Sequence, residues 1–185
     1  MSQPQSPSPA KLVMSLLMAD KALGPRITIE LEQVFGAIEI VSPWMDFNYT
    51  NYYAPEMGMP LHRRMLVFKE LIAQSDLARI KLRTNEIEMQ YAHRGKRRVN
   101  IDPGYLLYER FVLATGKNYS HRIYIGDGIY ADLTLVYQKS AYQSLPWTYP
   151  DYADPVMGDF LMQVRQKYGE DIKCASRRKK SEIKE

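Results

Sequence analysis

Lys117, His121, Arg122, Asp132 and Thr134 flank a glycine-marked bend, Gly126-Asp127-Gly128, and together they could handle an anion or a proton. Strand side chains alternate between two faces. Pairing Arg122 with Asp132 across the bend therefore gathers Tyr124, Tyr130 and Thr134 on the same face. An arginine fork beside a carboxylate can bind an anion or polarise a carbonyl. The plain alternative is a cross-strand ion pair on a solvated face. Lys117 adds a second cation. His121 is the natural acid–base group near neutral pH, although this register points it to the apolar face opposite Leu133, where it would serve as packing.

Three further groups complete the candidate set. Asp102-Pro103 reads as a helix start, aspartate at the cap and proline in the first turn; the free amides of such a junction, residues 100–105, can hold an anionic group, with Tyr105 beside it. Lys81, Asn85 and Glu88 recur at helical spacing and share one face. Residues 42–62 form a long aromatic connection carrying Tyr53 and Glu56, either a functional loop or an Ω-like loop packing its own rings. The resulting assignment gives proton transfer to His121 or Glu56. Ligand contact goes to Arg122, Asp132, Lys117, Tyr53, Tyr105, Tyr124, Tyr130, Asp102, Asn85 and Glu88. No metal ligands are assigned, and no cofactor is named.

Several familiar chemistries are excluded by motif. A phosphate-binding P-loop needs G-x-x-x-x-G-K-[ST], but Gly116-Lys117 is followed by Asn118, and Phe111 stands where the first glycine belongs. G-x-G-x-x-G, H-E-x-x-H and G-x-S-x-G do not occur. The one cysteine, Cys174, cannot form an internal disulfide or a multi-cysteine metal cluster.

The elements that must position these residues follow from hydrophobic period. A two-residue turn in the hairpin would set Arg122 opposite Leu133. A three-residue loop pairs Ile125 with Ile129, Ile123 with Ala131 and Arg122 with Asp132, and lines Ile123, Ile125, Ile129, Ala131, Leu133 and Leu135 along one face. That register is expected. Upstream, residues 12–19 are an apolar run fitting a central strand. A helix with Ile27, Leu31, Val34 and Phe35 inward ends at Gly36, and strands follow at 37–41 and 64–71. Ser75 is expected to cap a helix burying Leu77, Ile80, Thr84, Ile87 and Tyr91. Strand 99–101 then leads into the helix begun by Asp102 and ending near Gly116. After the hairpin, Asp154-Pro155 starts a last helix that Gly169 closes. The expected fold is α+β: a ferredoxin-like βαββαβ core, extended by a helix and a C-terminal β-hairpin, with helices packed on a mainly antiparallel sheet.

With 185 residues one domain is expected, over residues 11–169, between a disordered lead-in (1–10) and a basic mobile tail (170–185). From Lys173 onward the chain holds six basic and two acidic residues, so the overall charge of +4 belongs to the tail and the body is formally neutral. A neutral body disfavours a nucleic-acid-coating protein, leaving the basic turn at residues 93–98 as its best nucleic-acid candidate. The polar start and the absence of a long apolar run argue against a signal peptide and a membrane partner, and a reducing cytoplasm is the expected compartment.

The segments SPWMDFNYTNYYAPEMG, IKLRTNEIE, RRVNIDPGYL, VLATGKNYSHRIYIGDGIYADLTLVY and WTYPDY resemble the bacterial family catalogued as domain of unknown function 4416. The resemblance spans roughly residues 10–168. It implies no known activity and supplies no catalytic residues. Function therefore rests on the residues: a domain binding an anionic, nucleotide-like metabolite, or a small enzyme acting on one; alternatively, a non-catalytic module binding RNA or a protein partner. Whether the chain is an enzyme stays open at this point.

Overall fold

Nine consecutive buried residues make β1 (Ala10–Met18) the centre of the molecule. In the computed structural model, which describes residues 1–182, β1 lies between two antiparallel partners, β4 (Leu61–Ile72) and β5 (Asn100–Leu106). The fold is α+β, with an open, mainly antiparallel sheet. Its strand order is β2-β4-β1-β5-β6-β8-β7, where β2 is Ile38–Val41, β6 Arg110–Thr115, β7 Arg122–Gly126 and β8 Ile129–Gln138. Two short strands, β3 (Met45–Phe47) and β9 (Ala141–Ser144), add to β4 and β8.

Alternation along β1 divides the core. Leu12, Met14, Leu16 and Met18 meet Ile27 and Leu31 of α1 (Gly24–Phe35) and Ile80 and Ile87 of α3 (Leu77–Gln90). Val13, Met65 and Val67 cluster with Phe160, Leu161, Val164 and Tyr168 of α4 (Pro155–Glu182). Pro25 sits in the first turn of α1 and Gly36 ends it at φ 91°, in the left-handed region. Asp154 caps α4, accepting the Val156 N–H at 2.8 Å.

Several expectations are corrected. The helix expected from Asp102 to Gly116 is the β5–β6 hairpin: Leu106 pairs with Phe111, and the Leu107 N–H reaches the Arg110 carbonyl at 2.9 Å across a tight turn at Tyr108-Glu109. That turn contains no glycine, asparagine or proline, so nothing local marks it. Asp102 is thus no helix cap: its segment pairs with β1, and the Ile101 N–H goes to Glu88. Ser75 lies in a 3₁₀ turn whose amides bond to backbone, and α3 starts at Leu77 without a side-chain cap. Gly169 does not close α4. The Tyr108 hydroxyl lies 3.1 Å from where its Cβ would be, so the glycine serves close packing, and the helix continues to Glu182. Of the expected tail, residues 170–182 are helical and 183–185 lie outside the described residues. Finally, the loop at residues 42–62 contains β3 and a one-turn helix, α2 (Ala54–Met57).

The β7–β8 hairpin keeps its expected pairs Arg122–Asp132, Ile123–Ala131 and Tyr124–Tyr130. Near the bend, Gly126 replaces Ile125 opposite Ile129. Asp127 and Gly128, at φ 52° and 75°, make a two-residue primed turn, and an irregularity between Tyr124 and Gly126 absorbs the extra residue. The apolar face is buried on β8, through Ile129 and Leu135, but not on β7, and part of the polar face is buried as well. Asp132 and Thr134 are buried, whereas Ile123 is 71% exposed on the sheet edge.

One break in the sheet positions everything that follows. β5 and β6 pair only through Gly104–Leu113, Tyr105–Val112 and Leu106–Phe111. Beyond Gly104 the two strands part. A Cβ on Gly104 would lie 2.4 Å from the Val112 carbonyl oxygen, so only glycine lets the strands approach that closely at the fork. Pro103 stands just past it, where β5 lacks a β6 partner and tolerates a residue without an amide proton.

Candidate functional site

The fork opens into a cavity of about 670 Å³, within the range of small-molecule sites. Lys81, Asn85 and Glu88 of α3 and Asn100 and Asp102 of β5 line one side, and Lys117, Arg122 and Asp132 another. Tyr49, Tyr52 and Tyr53 before α2, Arg63 of β4, and Tyr149, Asp151 and Tyr152 before α4 complete it. Helical period explains the first set: the apolar face of α3 packs on β1 while its Lys81–Asn85–Glu88 face reaches the open fork. Strand period explains Arg63, which stands between buried Leu61 and Met65.

Most of the cations are held by carboxylates. Arg122 Nε donates to Asp132 at 2.8 Å, its Nη1 to the Lys117 carbonyl at 2.9 Å, and its Nη2 to the Tyr149 hydroxyl at 3.0 Å. Arg97 donates twice to Glu56, both at 2.8 Å, and once to Asn100 Oδ1 at 2.8 Å. Lys81 Nζ donates to the Ile101 carbonyl at 2.8 Å and faces Asp102 at 3.4 Å. Arg63 pairs with Asp151 and lies between the rings of Phe47 and Tyr152, each centroid 4.9 Å from its guanidinium carbon. Lys117 differs. It is exposed, donates to the Tyr52 hydroxyl at 3.1 Å, and among the described residues has no carboxylate partner.

These surroundings set proton affinities. The Arg97 hydrogen bonds hold the Glu56 carboxyl below its ordinary value. Burial pushes Glu88 up against the opposing charge of Lys81, and it pushes Asp151 up against Arg63. The hydrogen bond from Lys117 lowers the Tyr52 hydroxyl.

Seven of the residues nominated from sequence meet at the cavity: Arg122, Asp132, Lys117, Tyr53, Asp102, Asn85 and Glu88. Five do not line it. Glu56 is the carboxylate of the Arg97 fork. Tyr105 is buried in the core. Tyr124 and Tyr130 form an edge-to-face pair at 5.4 Å further along the hairpin. His121 does not point to the apolar face: its Nε2 lies 3.3 Å from Asp132 and its ring stacks on Trp147 at 4.9 Å. Bending of the chain ahead of β7 breaks the strand alternation that would have sent it the other way.

Arg63, Arg97, Lys81, Asp151 and the Tyr149–Tyr152 pair escaped nomination. Lys81 was already grouped with Asn85 and Glu88 by spacing. Arg63 had a detectable sign, a charge at an inward position of an alternating strand. Arg97 had none, since a basic turn looks the same whether it faces solvent or turns inward.

The family model described as Domain of unknown function (DUF4416) matches residues 8–168. No curated protein and no solved structure matches the chain. Among the described residues no helix is long and apolar enough to cross a membrane.

Proposed function

We propose that this chain, which belongs to the DUF4416 family, binds a small anionic metabolite in the cavity at the β5–β6 fork. The observation carrying this reading is the cavity itself: about 670 Å³, lined by five cationic side chains and five tyrosines. Lys117, with no carboxylate partner among the described residues, takes the anionic group, assisted by Arg122. Asn85, Asn100, Asp102 and Glu88 offer acceptors and amides to a hydroxyl- or amino-bearing end, a polarity that suits a nucleotide-like or sugar-phosphate-like molecule. Calorimetric titration with phosphorylated and carboxylated metabolites, beside their neutral parents, tests it. Binding is expected for anionic members only, weakened about tenfold by Lys117→Ala, the size of one charge-assisted hydrogen bond. A panel bound equally by wild type and variant would overturn the assignment.

The same reading takes β1, β2, β4 and β5 with α1 and α3 as a ferredoxin-like unit. The strand order β2-β4-β1-β5 and the shared apolar cluster of the two helices support it. The lone cysteine supports a reducing cytoplasm as its compartment. A second reading, docking of a protein partner, is favoured by the β7 edge, where Ile123 is 71% and Tyr124 59% exposed. RNA draws less support. Arg97 and Arg98 of the basic turn are engaged by Glu56 and Asp20, and Lys96 donates to the Pro55 carbonyl.

A further inference from the structure

Two carboxylates share the α3 side of the cavity but not their surroundings. Glu88 is 5% exposed; its Oε1 accepts the Ile101 N–H at 2.5 Å and its Oε2 lies 3.5 Å from Arg97 Nη1. Asp102, on β5, has a side chain 26% exposed; its Oδ2 accepts from Asn100 Nδ2 at 2.6 Å and its Oδ1 faces Lys81 Nζ at 3.4 Å. Burial raises the proton affinity of Glu88, whereas Asp102 is partly hydrated and stands beside an ammonium. Paired carboxyl groups in unlike environments divide into a proton carrier and a proton acceptor. A buried cation stands across the cavity. The Arg63 side chain is 6% exposed and borders the space, and its Nε has no hydrogen-bond partner among the described residues. Buried donors without partners are rare, and this one lies within the wall of the cavity.

Resting on the anionic-ligand reading, we propose that the cavity is an acid–base active site interconverting anionic α-hydroxycarbonyl compounds, the class to which aldose and ketose phosphates belong. Asp102 removes the proton from the carbon next to the carbonyl while Glu88 gives its proton to the carbonyl oxygen, forming an enediol. The Glu88 carboxylate then takes the proton of the neighbouring hydroxyl, and Asp102 returns its proton to the former carbonyl carbon. The carbonyl has moved by one carbon, and both carboxyl groups regain their starting states. No oxidant, external nucleophile or added co-reactant enters the balance. The fixed Lys81 ammonium stabilises negative charge developing on oxygen.

The test uses the full chain in heavy water with ribose 5-phosphate, glucose 6-phosphate and glucuronate. Binding is measured first by calorimetry, and carbon-bound deuterium is then followed by proton NMR. Deuterium is expected next to the carbonyl of at least one bound probe. Glu88→Gln and Asp102→Asn should each slow its appearance about 100-fold or more, the scale of one acid–base group. Glutamine and asparagine keep the acceptor oxygens for Ile101 and Asn100, so both variants are expected to fold, and the rate is compared at saturating probe. Should either variant fail to fold, the wild-type rate against pH decides. It should fall as pH rises and Glu88, whose proton affinity burial raises, loses its proton. Binding without deuterium uptake, uptake unchanged in folded variants, or a rate flat with pH overturns the acid–base site and leaves the binding reading standing. Failure of all three probes to bind overturns the active site as assigned here. Failure of the wider anion panel as well removes the binding reading.

Discussion

Two clusters of buried charge sit at opposite fates in this fold. At one, Lys11 is wholly buried and its ammonium is enclosed by Glu39 at 2.7 Å, Asp171 at 2.5 Å and the Lys69 carbonyl at 2.9 Å, with Lys167 closing the set at 3.0 Å from Glu39. It joins β1 and β2 to the middle of α4 and does not line the cavity at the fork. At the other, Arg63, Lys81, Glu88 and Asp151 are as deeply placed, yet each borders about 670 Å³ of open space. Buried charge alone therefore says nothing about function. What differs is whether the partners close around the charge, as a structural cluster requires, or leave it facing room for a ligand.

That contrast can be broken experimentally. Lys11→Met should have the largest effect, about 3–5 kcal/mol of stability, because two carboxylates lose their buried partner. Urea denaturation measures it, and affinity of the folded fraction should not move. Gly104→Ala should damage both properties together, costing about 1–3 kcal/mol by overpacking against Val112 and distorting the fork. Loss of stability with binding untouched would show that the cavity does not depend on where β5 and β6 part. Lys117→Ala should do the reverse of Lys11→Met: about tenfold weaker anion binding, with stability within about 0.5 kcal/mol of wild type, as for an exposed position.

Acidity sharpens the same comparison. Burial works to raise the Asp171 carboxyl, but its hydrogen bonds to Lys11 and Lys167 outweigh that and leave it below the ordinary value. Its contribution to stability is therefore present above the usual aspartate range and is lost as pH falls through the lowered value. Glu88 is raised, so its contribution is full below the usual glutamate range and is lost as pH rises through the raised value. Asp171→Asn should accordingly cost stability at pH 7 and little in strong acid. Glu88→Gln should flatten the decline just above the ordinary glutamate range. Thermal melts across pH separate the two, and parallel curves would show that the clusters are alike after all.

Much of this was legible in the chain. The burial of β1 throughout, the two faces of α3 and the Arg122–Asp132 pairing all follow from period two, period 3.6 and the apolar residues that mark each face. Those regularities brought seven nominated residues to one cavity. Asp102-Pro103 misled because a cap-and-proline signal is local, and the turn at Tyr108-Glu109 that overrules it carries no signal of its own. Arg63 and Asp151 were missed because their meeting joins β4 to the loop before α4, a contact that sequence spacing does not encode.

Sequence by itself determined which side chains travel together on each strand and helix, since backbone geometry alone fixes that alternation. Only the tertiary structure decided which face turned inward. On β7 the isoleucines ended exposed at the sheet edge while the neighbouring Asp132 and Thr134 were buried. Burial depends on what packs above a face, and here β5 and β6 part beside Gly104 to leave a polar-lined opening where packing would otherwise be.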